Sequence, residues 1–266
     1  MIRVIISGAA GRMGREVLKS VWNSEDMQLV GAVDIQDKGR DAGSLIGIGE
    51  IGIQLQSDLE QALQNTRPDV MVDFTIPNSV AGNIKTALRC GVRPVVGTTG
   101  LESNELSEIT QISSSNKIGC IIAPNFAIGA ILMINFAAQA ARYFPHVEII
   151  ELHHEQKLDA PSGTAVLTAA EIVKNRGEFE QGLPIEVEKI PGARGGRYEG
   201  GIRFHSVRLP GLVAHQEVIF GGLGQTLTIR HDTISRESFM PGVLLAIRKV
   251  MRLEEVVYGL ENLIFE

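Results

Sequence analysis

The chain has 266 residues, of which 44% are hydrophobic and 21% charged, a balance that excludes disordered, collagenous and coiled-coil classes and fits one large domain or two modest ones. Twenty-five Lys and Arg against 31 Asp and Glu leave a net charge of −6. No global positive field therefore exists for nucleic acid or a membrane surface, neither is expected as a partner, and any anionic ligand must be met by a local site.

Met1 leads directly into the apolar run Ile2–Ile6, with no basic, Ser-rich or cleavable stretch, so residence in the cytoplasm is expected. The runs Ile2–Ile6, Leu29–Val33, Val70–Phe74, Pro94–Val96 and Ile118–Ile122 are short, rich in Val and Ile and nearly continuous, the pattern of strands buried on both faces. Helical stretches separate them. Ser57-Asp58-Leu59-Glu60 reads as a capping box opening a helix that stops before Pro68, and Asn78 is placed to cap one ending at Gly91. Strands alternating with helices require crossover connections, so the first half is expected to be a doubly wound parallel sheet.

After the first strand comes Gly8-Ala9-Ala10-Gly11-Arg12-Met13-Gly14, opening a helix that reaches Trp22. Glycines there permit a tight turn and a close approach of backbone N–H groups to a pyrophosphate at a helix N-terminus. Asp34 ends the second strand, where a carboxylate accepts from adenosine ribose hydroxyls, so a Rossmann-type dinucleotide site is expected. Asp34 is followed by Ile35 and repels a 2′-phosphate, which favours NADH; Arg12, Lys38 and Arg40 offer charge to NADPH, so strict discrimination is not expected. Gly97-Thr98-Thr99-Gly100 and Ala123-Pro124-Asn125-Phe126 each follow a strand, and read either as plain turns or as loops flanking the nicotinamide.

From Asn125 onward the pattern changes. Phe126–Ala141 is apolar on every side, is interrupted by Asn135 and Gln139, falls short of the ~20 residues that span a bilayer, and reads as a buried helix. A strand Val147–His154 and a helix from Ser162 to about Arg176 follow. Strands are then expected at Ile185–Ile190, Ile202–Leu209, Ala214–Phe220 and Thr226–His231, building a second α+β domain on a mixed sheet or an antiparallel one. A last helix, started by Pro241, closes the chain. The loop Gly192–Arg197 reads as mobile, or as one that grips an anion or an interface. Cys90 and Cys120 sit in apolar segments without metal or disulfide spacing and are expected to be inert thiols.

The densest run of chemistry is Glu151-Leu152-His153-His154-Glu155-Gln156-Lys157-Leu158-Asp159-Ala160-Pro161-Ser162-Gly163-Thr164-Ala165. Adjacent histidines on a strand point to opposite faces, and no third ligand stands at zinc spacing, so no metal is expected. A His and Lys pair serves proton transfer, and the helix start at Ser162-Gly163-Thr164 offers free N–H groups and hydroxyls to a carboxylate. An exposed basic loop before a capped helix is the plainer alternative.

With Gly8–Gly14, Gly97–Gly100, Ala123–Phe126, Ser206–Gly211 and Ile234–Arg236, this run resembles the 4-hydroxy-tetrahydrodipicolinate reductase (dihydrodipicolinate reductase) family over essentially the whole chain. The resemblance implies His153 as proton donor or acceptor and Lys157 as proton donor. It implies His154, Gly163 and Thr164 as contacts to a small cyclic dicarboxylate. Gly8, Ala9, Ala10, Gly11, Arg12, Met13, Gly14, Asp34, Gly97, Thr98, Thr99, Ala123, Pro124, Asn125 and Phe126 are implied as contacts to NADH or NADPH.

It further implies NAD(P)H-dependent reduction in lysine and diaminopimelate biosynthesis and a homotetramer built through the second sheet; because hydride transfer needs the ring carbon held close to the nicotinamide, domain closure is expected, with hinge candidates near Asn125–Ala127 and Ser235–Glu237. Arg236 is a weaker candidate, for positioning the hinge or for a surface salt bridge. On this reading residues 1–126 and 237–266 bind dinucleotide, while 127–236 bind substrate and assemble the oligomer. Two other functions are consistent with parts of the pattern: another two-domain nicotinamide dehydrogenase, sharing only the nucleotide half, and a non-catalytic NAD(H)-binding redox sensor, which has no need of His153 and Lys157.

Overall fold

A computed structural model describes residues 1–183 and 185–265. The chain divides into two compact units, Met1–Ala127 with Phe239–Glu266, and Ile128–Ser238. In the first unit the order is β1 (Ile2–Ser7), α1 (Arg12–Trp22), β2 (Met27–Val33), α2 (Ala42–Leu45), β3 (Leu55–Gln56), α3 (Leu59–Thr66), β4 (Val70–Asp73), α4 (Pro77–Arg89), β5 (Arg93–Val96), α5 (Ser103–Asn116) and β6 (Cys120–Ile122). The second unit holds α6 (Ile128–Ala140), β7 (His146–His153), α7 (Gly163–Arg176), β8 (Gly196–Arg197), β9 (Arg203–Arg208), β10 (Ala214–Gly222) and β11 (Gln225–Thr233). The chain then returns to the first unit with α8 (Met240–Val250), β12 (Val256–Tyr258) and α9 (Glu261–Ile264).

The first sheet is parallel throughout, with the order β12-β6-β5-β4-β1-β2-β3. Val4, Ile5 and Ile6 on β1 and Val70, Met71 and Val72 on β4 are completely buried, as strands covered by helices on both faces must be. Strand order reverses between β1 and β4, and such a reversal opens a crevice at the carboxyl ends of the strands.

The second sheet is mixed, ordered β11-β10-β7-β9-β8, with β7 parallel to β9 and antiparallel to β10. One face is covered by helices α6 and α7, and Ile149, Phe204, Val218, Phe220, Ala165, Ala169 and Ile172 form the core between them. An α/β first half and an α+β second half on a mixed sheet are thus the architecture that the alternation of elements predicts.

Several local expectations need correction. Asp58, not Ser57, caps α3: its carboxylate accepts from Gln61 N at 3.0 Å, because the helix opens one residue later than the capping-box pattern implies. Asn78 caps nothing; α4 begins at Pro77, whose fixed φ and missing N–H suit a first turn. Residues 185–190 form no strand. Glu186 is bound to Arg203, and Glu188 accepts from Gly192 N and Arg194 N, so the segment folds back on itself and leaves Ile185, Val187 and Ile190 exposed.

Helix α6 is not buried all round, since Phe136 and Gln139 are exposed. His154 lies beyond the end of β7, in a turn closed by Lys157 N on His154 O at 3.1 Å. The chain does not close on the helix at Pro241, because β12 pairs with β6 and extends the parallel sheet. Cys120 is buried, and burial pushes its thiol pKa far up; Cys90 is only half-buried, and burial raises it too. Among the described residues no helix is long and apolar enough to cross a membrane.

Candidate active site

In the first unit the candidate site is a set of loops at the carboxyl ends of β1, β2, β4, β5 and β6. The glycine loop starts at Gly8, whose φ of +79° suits only glycine and whose absent Cβ would stand 2.4 Å from Phe74 O. Gly14 lies inside the first turn of α1, where a Cβ would stand 2.0 Å from Gly8 O, so helix and loop pack backbone to backbone. Gly11 occupies the N-cap position and supplies no side chain to the helix, which leaves the first-turn N–H groups around Arg12 and Met13 to an external acceptor.

Asp34 stands against this loop. Its Oδ2 accepts from Ala10 N at 2.9 Å and its Oδ1 from Gln36 N at 2.9 Å, which fixes the carboxylate beside the turn. Beyond it, Asp37 engages Arg15 at 3.9 Å and Arg40 at 3.6 Å, so Arg40 is already partnered by a carboxylate. The cradle, the uncapped helix start and the oriented acid fit a dinucleotide: they present donors for a pyrophosphate and an acceptor for ribose.

Gly97 and Ala123 continue from β5 and β6, held by Gly97 N on Asp73 O and Ala123 N on Val96 O, each at 2.9 Å. Thr98 is buried and donates to Asp73 Oδ1 at 2.9 Å, whereas Thr99 is exposed. Asn125 Oδ1 accepts from Ala127 N at 2.9 Å and shapes the turn after exposed Pro124. The ring of Phe126 lies 5.8 Å from that of Phe74.

Asp73, Phe74 and Thr75 are residues that pattern reading missed. Asp73 is completely buried and also accepts from Thr75 N, Thr75 Oγ1 and Asn83 Nδ2, tying together the loops after β4 and β5. The available signal is a carboxylate interrupting an otherwise apolar strand.

In the second unit the helix-facing side of the sheet turns from apolar to polar toward the end of β7. Ile149 is followed on the same face by Glu151 and then His153, with Gln216 opposite Glu151 on β10 and Arg208 opposite His153 on β9. His153 Nδ1 is hydrogen-bonded to Glu151 Oε2, and Arg208 reaches both oxygens of the same carboxylate.

Burial holds the His153 pKa below the ordinary histidine value; Lys157 and Arg208 push the same way, and Glu151 opposes them. Burial works to raise the Glu151 carboxyl, but bonds from Arg208, Ser206 and His153 outweigh it and leave it below the usual range. Glu151 and Arg208 went unassigned in the pattern reading, although spacing of two along a strand puts Glu151 on the face of His153.

Lys157 Nζ is held by Asp159 at 2.7 and 2.9 Å, while His154 is exposed. Ser162 caps α7 by accepting from Ala165 N at 3.2 Å, and a Cβ at Gly163 would meet nothing within 4 Å. Thr164 is fixed through its carbonyl, which accepts from the Thr168 hydroxyl at 2.7 Å; that hydroxyl in turn accepts from Gln216 Nε2 at 2.7 Å. The structure therefore brings His153, Lys157 and the α7 start to one end of the second unit. Among the described residues no cluster of His, Cys, Asp and Glu is arranged to hold a metal.

Comparison with known proteins covers both units. Residues 2–126 match the family described as dihydrodipicolinate reductase, N-terminus, and residues 129–264 match dihydrodipicolinate reductase, C-terminus. A 4-hydroxy-tetrahydrodipicolinate reductase from Desulfitobacterium hafniense is 60% identical over 98% of each chain. A dipicolinate-bound dihydrodipicolinate reductase from Paenisporosarcina sp. TG-14 superposes with a TM-score of 0.89 at 49% identity, covering 99% of this chain and 100% of that one. A myo-inositol dehydrogenase from Corynebacterium glutamicum, 14% identical with a TM-score of 0.60 over 95% of this chain and 89% of its own, shares the fold alone. Since the matches run through the glycine loop of the first unit and the His153–Thr164 run of the second alike, the chain belongs to the dihydrodipicolinate reductase family.

Proposed function

We propose that His153 is the proton donor or acceptor and Lys157 a proton donor in the reaction of this family, the NAD(P)H-dependent reduction of 4-hydroxy-tetrahydrodipicolinate to tetrahydrodipicolinate with loss of water, a step of lysine and diaminopimelate biosynthesis. Support comes from one observation above the others: a partly buried imidazole on a fully buried carboxylate, followed four residues later by Lys157 and then by the capped start of α7. Proton transfer needs an ionisable group that is held in place, and the imidazole of His153, fixed through Nδ1 by Glu151, is such a group.

His154 and the N–H groups at Gly163 and Thr164 receive the carboxylates of a small cyclic dicarboxylate. The open space where a Gly163 side chain would stand lets an anion reach the backbone. Lys157 balances substrate charge and supplies a proton from Nζ, with Asp159 orienting it.

Bound NADH or NADPH supplies the hydride. Arg12, Met13 and Gly14 present first-turn N–H groups for its pyrophosphate, Gly8, Ala9, Ala10 and Gly11, whose own N–H groups are bonded to Val33 O, Asp34 and Gly8 O, shape the turn it approaches, and Asp34 accepts from its ribose. Gly97, Thr98, Thr99, Ala123, Pro124, Asn125 and Phe126 line the place of its nicotinamide, with Thr98 and Phe126 set from below by Asp73 and Phe74.

A homotetramer assembled through the five-stranded sheet, working in the cytoplasm, completes the reading; the exposed residues of edge strand β11 support it, since such edges are commonly covered by another subunit. The deciding experiment follows NADH consumption with freshly generated substrate. Turnover by the unaltered chain and its loss in His153→Gln supports the assignment. Tight NADH binding without turnover would favour a redox sensor instead.

A further inference from the structure

Glu151 is completely buried one pleat before His153 on β7. A carboxylate in that position is costly unless paired and fully hydrogen-bonded, and here it is both. Arg208 Nη2 donates to Oε1 at 2.7 Å, Arg208 Nη1 donates to Oε2 at 3.0 Å, and His153 Nδ1 sits on Oε2. The parallel register of β7 and β9, which sets Ser206 opposite Glu151 and Arg208 opposite His153, delivers the guanidinium to this spot. The same Nη2 donates to the carbonyl of Asp159 at 2.7 Å, and the Asp159 side chain holds Lys157 Nζ.

We infer that Glu151 and Arg208 are positioning residues for proton transfer: the carboxylate selects the His153 tautomer protonated on Nδ1 and leaves Nε2 to exchange a proton with substrate, while Arg208 ties that carboxylate to the turn that carries Lys157. The inference rests on the proton-transfer role of His153. Its chemical basis is that an ionised carboxylate only accepts, so the ring nitrogen it faces must carry the hydrogen. When Nε2 gains its proton, the imidazolium that forms faces Glu151 on one side and the cations Lys157 and Arg208 on others, so the carboxylate offsets charges that would repel the proton. Arg208, bonded to Glu151 and to the Asp159 carbonyl at once, links the strand end to the Lys157 turn, and orientation at this scale decides rate.

Two measurements test this. In the unaltered full chain, isotope-labelled histidine NMR, with the His153 signal assigned by its loss in His153→Gln, is expected to show the neutral ring protonated on Nδ1. A dominant Nε2–H form overturns the inference without any variant having to fold. Glu151→Gln keeps shape but offers an amide donor to Nδ1; it is expected to lower kcat by about 10²- to 10⁴-fold with KM within about threefold, and to displace the His153 limb of the pH profile. Glu151→Asp is expected to recover part of the rate.

If His153→Gln is inactive while Glu151→Gln matches the unaltered protein in kcat, pH profile and tautomer, positioning by Glu151 is refuted and the role of His153 stands. If His153→Gln itself turns over normally, the proposed role of His153 falls, and positioning falls with it.

Discussion

The buried carboxylate of Asp73 accepts the hydroxyl of Thr98 at 2.9 Å, and this bond joins the loops that leave the adjacent strands β4 and β5. Four donors converge on Asp73, counting Thr75 twice and Asn83 once, so truncation strands buried Thr98 and the part-buried Thr75 and Asn83 together. Asp73→Ala is expected to cost about 2 to 4 kcal/mol of stability in urea unfolding, since hydrogen bonds to a charged group contribute about 1.5 to 3 kcal/mol each and are not additive. It should also raise KM for NADH about tenfold. Stability within about 0.5 kcal/mol of the unaltered chain would show that the loops do not depend on this network.

Gly14 tests the cradle. A methyl there would stand 2.0 Å from Gly8 O, a contact with backbone that no rotamer relieves, so Gly14→Ala must push helix α1 off the loop. Overpacking of this kind costs about 1 to 3 kcal/mol. The expected result is a loss of NADH affinity of at least about tenfold by calorimetric titration, larger than the fall in thermal stability alone would explain. Unchanged affinity would place the cofactor elsewhere.

Asp34 tests nucleotide choice. Its carboxylate is fixed by Ala10 N and Gln36 N, where it repels a 2′-phosphate, and Arg40 is drawn toward Asp37, while Arg12 and Lys38 stay exposed. Asp34→Ser is expected to raise the ratio of kcat/KM for NADPH over NADH by about tenfold, chiefly through KM, because uniform binding is what changes. A hundredfold preference for NADPH in the unaltered chain would contradict this account of Asp34.

Among the catalytic candidates, His153→Gln and Lys157→Ala should each lower kcat by about 10²- to 10⁴-fold, the usual range for acid and base groups. Lys157→Ala should raise KM as well, because its ammonium also meets substrate charge, whereas His153→Gln should act mainly on kcat. Steady-state kinetics separates the two.

Stability should fall on acidification in two stages. Burial lowers the pKa of His153 and of His231, so below about pH 6.5, the ordinary histidine value, the unfolded chain binds more protons than the folded one and stability declines as pH drops toward the folded values. Glu148 and Glu151 are held low in the folded state against the opposing effect of burial, by Arg194 and His205 in one case and Arg208, Ser206 and His153 in the other. Their contribution is present above about pH 4.3 and is lost as pH falls further. Thermal unfolding from pH 8 to pH 3 checks both stages, and His231→Gln should flatten the first. A curve flat between pH 7 and pH 5 would contradict the histidine contribution.

Local pattern was enough to determine the class of each half. Continuous Val and Ile runs punctuated by helices specify a parallel sheet, because strands covered on both faces carry no polar alternation, and the turn-separated strands after His154 specify a mixed or antiparallel sheet, which the parallel pairing of β7 with β9 makes mixed. The Gly8–Gly14 loop and the His153–Thr164 run were readable for a similar reason: each is contiguous, so its spacing is its geometry. Tertiary structure alone decided what lies beneath those runs. Asp73 and Thr98 are 25 positions apart and Glu151 and Arg208 are 57 apart, and each pair meets only because strand order and register bring the two together. It also decided against a strand at residues 185–190 and for β12, since whether an apolar run becomes a strand depends on there being a sheet edge to pair with, a property of the folded chain and not of the segment.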